Sequence, residues 1–63
     1  MSHIRWEEPL CGDSSNCFRI GTDSAGNAYI AVSGTEDHYI TDTHDALRAL
    51  IRDIKAGKAD HLL

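Results

Sequence analysis

Four apolar residues near the C-terminal end set the terms for how this chain can fold. Leu47, Leu50, Ile51 and Ile54 fall at i, i+3, i+4 and i+7, a single apolar stripe of helical period. Start and stop signals agree with the stripe. Thr43 is placed to cap the first turn with its hydroxyl. Asp42 and Asp45 sit where the helix dipole is positive, and Arg52 and Lys55 where it is negative. Gly57 can take the left-handed conformation that closes a helix. The spacing predicts a helix over about residues 44–56. A helix with one apolar stripe needs an apolar partner layer, so the rest of the chain must supply one.

The residues before it read as short strands. Ile4 and Trp6 alternate with Arg5 and Glu7, and Pro9 ends that strand because it lacks an amide donor. Residues 11–16 are rich in turn formers and should be a loop. Cys17-Phe18-Arg19-Ile20 is the second strand and Ala28-Tyr29-Ile30-Ala31-Val32 the third, joined by a hairpin loop over residues 22–27. Gly34-Thr35-Glu36-Asp37 turns the chain again, and His38-Tyr39-Ile40 reads as a short fourth strand.

The fold class expected is therefore α+β: a three- to four-stranded antiparallel sheet packed against one C-terminal amphipathic helix. With 63 residues this makes a single domain spanning 1–63. The expected core comprises Trp6, Phe18, Ile20, Ile30 and Val32 from one sheet face, with Ile4 and Ile40 beside them. The helix adds Leu47, Leu50, Ile51 and Ile54. In so small a core, replacing Ile51 or Trp6 by alanine is expected to unfold the domain.

Charge and motif content bound the function. Ten acidic residues against six basic ones give a formal charge of −4. A domain that holds DNA through its phosphates needs a basic surface, so direct nucleic-acid binding is disfavoured. The first ten residues carry His3, Arg5, Glu7 and Glu8, which fits neither a signal peptide nor a membrane span. A cytoplasmic location is expected. Cys11 and Cys17, with five residues between them, would there usually be thiols. A disulfide closing the loop and a thiolate zinc site are the alternatives. The zinc site is the weaker of these, because His3, His38, His44 and His61 are scattered.

No catalytic constellation stands out. His44 and Asp45 are adjacent on a helix and do not face each other. No Gly-x-Ser-x-Gly elbow surrounds Ser14, Ser15, Ser24 or Ser33, and the glycines are too dispersed for a phosphate loop. No catalytic, metal or cofactor residues are assigned, and the chain is expected not to be an enzyme. Candidate contacts to a partner are Arg48, Arg52 and Lys55, a basic stripe beside the apolar face of the helix, with Tyr29 and Tyr39 as exposed aromatic groups. The bland reading of the stripe is a solvated helix edge suited to the dipole.

The order of these pieces resembles an actinobacterial family of small domains of unknown function, the BldB-like family known from Streptomyces. The resemblance is carried by Trp6 near the start and by the run Asn16-Cys17-Phe18-Arg19-Ile20. It extends through a hairpin into Ile30-Ala31-Val32 and a helix ending Lys55-Ala56-Gly57-Lys58-Ala59-Asp60. The chain departs from the family pattern at Ser33-Gly34-Thr35, where members commonly have Arg-Asp-Ser. It also departs at His44 in place of a proline and at Leu47 in place of a tryptophan. The resemblance implies a regulatory protein–protein interaction module that partners a helix-turn-helix regulator of the Xre type, often encoded beside it. It also implies the alternative of a toxin-like effector in a toxin–antitoxin pair. Homodimerisation is a further expectation, since a thin core gains from added buried area.

Overall fold

The computed structural model describes residues 3–12 and 17–63. The expected loop over residues 11–16 lies mostly outside them. Four antiparallel strands are followed by one helix, the α+β architecture read from the sequence. The strands are β1 (Arg5–Trp6), β2 (Phe18–Thr22), β3 (Asn27–Val32) and β4 (Tyr39–Thr43), arranged side by side in chain order. Helix α1 (His44–Lys55) follows β4 directly, and a short 3₁₀ turn, Asp60–Leu62, ends the chain.

Both helix ends form as the sequence dictates. The Thr43 hydroxyl accepts from the Ala46 amide at 3.1 Å. The His44 amide donates to the Gly26 carbonyl at 2.8 Å, so the β2–β3 hairpin also takes up a free donor of the first turn. At the other end Gly57 has φ 85°, and the Lys58 amide reaches back to the Asp53 carbonyl while the Gly57 amide bonds that of Ile54. This pair of bonds is a Schellman motif.

The register sorts the side chains into two faces. Ile20 stands opposite Ile30, which stands opposite Ile40, and Phe18 stands opposite Val32. These share the face that carries α1. Trp6 stands opposite Gly21, which stands opposite Tyr29, so all three belong to the other face. The expectation that Ile4 and Trp6 join Phe18 and Ile20 is thus corrected. Side chains alternate along a strand, and the Trp6–Gly21 pairing puts Trp6 one step out of phase with Ile20. A β-bulge follows. Leu10 bridges Phe18, one residue later than the Trp6–Gly21 pairing would carry it, with Glu8 and Pro9 in the intervening stretch.

The core is also smaller than the sequence suggests. Among the described residues the buried apolar groups are Cys17, Ala28, Tyr29, Ala31 and Leu47. Ile20, Ile30 and Trp6 are half-buried. Phe18, Val32, Leu50, Ile51 and Ile54, all expected in the core, are exposed at 63, 42, 43, 41 and 51%. The reason is geometric. With no loop between β4 and α1, the helix stays mainly over β3 and β4, where Ala46, Leu47 and Leu50 approach Ala28, Ile30 and Ile40. The end of the sheet holding Phe18 and Val32 is left bare, and so is much of the helical stripe. Ile51 therefore is not the keystone expected of it, and Leu47 takes that place.

Candidate functional site

Two surfaces stand out. On the face away from the helix, Trp6, Tyr29 and Tyr39 form an aromatic triad. Ring centroids are 5.0 Å apart for Tyr29–Tyr39, 6.3 Å for Trp6–Tyr39 and 6.4 Å for Trp6–Tyr29. The Tyr29–Tyr39 planes are nearly perpendicular at 88°, an edge-to-face contact favoured by the ring quadrupoles. Gly21 makes the triad possible, because a Cβ there would lie 2.6 Å from Ile4 Cγ2 and 2.9 Å from Trp6 Cε3.

Polar groups hold the triad in place. The Tyr29 hydroxyl donates to Asp23 Oδ2 at 2.5 Å. Asp23 also accepts from the Ala25 and Asn27 amides and from the Asn27 side chain, closing the hairpin. These bonds, that of Tyr29 foremost, lower the Asp23 carboxyl from 3.8 to about 2. The same contact raises the Tyr29 phenol. Nearby, Arg19 bonds Glu36 at 3.0 Å and the Glu7 carbonyl at 3.0 Å. The guanidinium, helped by the Gly34 amide, holds the Glu36 carboxyl below its usual range.

Of the expected partner contacts, Tyr29 is corrected. It is only 6% exposed, roofed by its aromatic neighbours and tied to Asp23, and it offers little to a partner. Tyr39 on the β4 edge is 42% exposed. Arg48 pairs with Asp45 at 2.6 Å within the helix, and Arg52 and Lys55 lie on its exposed side. The structure therefore separates the basic stripe from the aromatic pair: one lies on α1, the other on the opposite face of the sheet.

The second surface is apolar. Leu10, Phe18, Val32 and Ile40 are exposed at the uncovered end of the helix-bearing face, with Leu10 and Ile40 at 64 and 69%. Ile30 and Ile40 line both the cleft beneath α1 and the shallow depression that contains Phe18 and Val32, so the two areas are continuous. Sequence reasoning missed this surface because it assigned every apolar residue of the helix and sheet to a closed interior.

Cys11 and Cys17 form a disulfide, the alternative to the paired free thiols expected. They occupy facing positions one step beyond the Leu10–Phe18 bridge, with Cα atoms 4.4 Å apart, so the register itself brings the sulfurs together. The signal available in the sequence was the loop of turn formers between them. Among the described residues no cluster of three or more His, Cys, Asp or Glu could hold a metal ion. His38 lies 3.5 Å from its neighbour Asp37, both strongly exposed, and no helix of the described residues is long and apolar enough to cross a membrane.

Comparison of the chain with family models, with curated proteins and with solved structures gives no match.

Proposed function

We propose that this chain is a non-enzymatic regulatory module of the BldB-like kind, one that binds a helix-turn-helix regulator of the Xre type in an actinobacterium. The observation that carries the reading is the aromatic face. Trp6 and Tyr39 sit on an open sheet surface, and Tyr39 reaches solvent from the edge strand. Rigid aromatic groups at such positions are the commonest anchors of protein interfaces.

Charge supports the choice of partner. A regulator that holds DNA presents basic surface, and this domain carries an excess of four acidic groups. Opposite net charges steer two proteins together and discourage direct contact between this chain and DNA. The test is co-expression with the adjacent regulator followed by pull-down, with a Tyr39→Ala variant alongside. A complex at micromolar concentration, weakened about tenfold or more by Tyr39→Ala, is expected for a hot-spot aromatic residue. Absence of a complex at that concentration overturns the reading.

A further inference from the structure

The geometry points to a second copy of this chain as the cover for the apolar face, through a reciprocal helix-on-sheet interface. This goes beyond regulator binding and does not depend on it.

Each copy has two unfinished halves. One is the helical stripe, in which Leu50, Ile51 and Ile54 are 41–51% exposed. The other is the bare end of the same sheet face, where Leu10, Phe18, Val32 and Ile40 are 42–69% exposed. A helical stripe is what ordinarily covers a sheet face. One copy therefore offers what the other lacks, and a two-fold axis satisfies both halves at once. The product is two sheets with two helices side by side between them, each sheet covered by its own helix at one end and the partner's at the other.

Area agrees with this. Seven side chains of this size, about half exposed, present on the order of 700 Å² of apolar surface. A stable association needs about 800 Å² per partner, so the patch nearly fills an interface of ordinary size once its polar rim is added. Charge agrees as well. Helix α1 carries Arg48, Arg52 and Lys55 against Asp45 and Asp53, whereas the rest of the chain is strongly acidic. The net-positive helix of one copy would thus meet the net-acidic remainder of the other.

The experiment is sedimentation equilibrium of the full chain, with a Phe18→Glu variant. The expected result is twice the chain mass for the parent and the single mass for Phe18→Glu. A parent that stays monomeric to hundreds of micromolar overturns the proposal and leaves the face to a different protein. A dimer untouched by Phe18→Glu overturns it too, by placing the interface elsewhere. Should Phe18→Glu fail to fold, a photo-crosslinking side chain at position 18 decides. Adducts to residues 47–54 of the other copy in an isotope-mixed sample are expected, and adducts elsewhere or none contradict the assignment. Regulator binding is read by pull-down, so failure of one proposal leaves the other standing.

Discussion

Trp6 lies across the strand opposite it in the space that a side chain on Gly21 would need. A Cβ at Gly21 would approach Trp6 Cε3 to 2.9 Å and Ile4 Cγ2 to 2.6 Å. The close approach lets the indole reach over β2 to Tyr29 on β3. Gly21→Ala must therefore displace Trp6 and Ile4, and the expected cost is about 1–3 kcal/mol, as for overpacking elsewhere. Denaturant melts of the variant check the magnitude. Trp6 fluorescence checks the cause, because the indole should become more exposed before the main transition.

The bond between Tyr29 and Asp23 predicts a pH dependence. The Asp23 carboxyl sits at about 2 in the folded chain against an ordinary 3.8. A lowered folded value means that the unfolded chain binds the proton first as acid is added. The stabilisation is complete above about pH 4 and is lost as pH falls towards about 2. Asp23→Asn should flatten the acid limb of the stability curve in that window and leave its slope near neutrality unchanged. Thermal melts at half-unit steps from pH 2 to 7 provide the comparison. An unchanged acid limb would show that the Tyr29–Asp23 contact does not persist in solution.

The cross-strand disulfide should be detectable and stabilising. Denatured, unreduced protein is expected to contain no titratable thiol, since Cys11 and Cys17 are paired. Closing so short a loop limits the gain to about 2 kcal/mol on the chain-entropy model. A reductant, or Cys11→Ser with Cys17→Ser, should lower the melting temperature by an amount of that order. The change should fall mainly on the N-terminal segment, because the bond ties Leu10 and Cys11 to the start of β2.

The sequence made the helix legible in detail because its signals are local. Thr43 caps a turn three residues long, and Gly57 and Lys58 close the other end through backbone bonds within six residues. Strand existence was legible for similar reasons, from period-two alternation between turn formers. The facing of Trp6 was not, because β1 is two residues long and a bulge at Glu8–Pro9 shifts the phase before Leu10. A single step of register moves a side chain to the opposite face. The exposure of Phe18, Val32 and Ile54 was hidden for a different reason. Periodicity says which residues share a face, and the absence of a loop between Thr43 and His44 decides how far the helix can travel across it. Tyr29 was misplaced because its burial depends on Gly21, Asp23 and Tyr39 together, three residues drawn from different strands and turns.

The apolar layer that a single copy of this small domain leaves open is, on the proposal above, completed by another copy. The most direct test is thermal unfolding over a hundredfold range of protein concentration. A melting temperature that climbs steadily with concentration is the predicted outcome, because unfolding then separates two chains. A sharp, cooperative transition at one temperature across that range would contradict it.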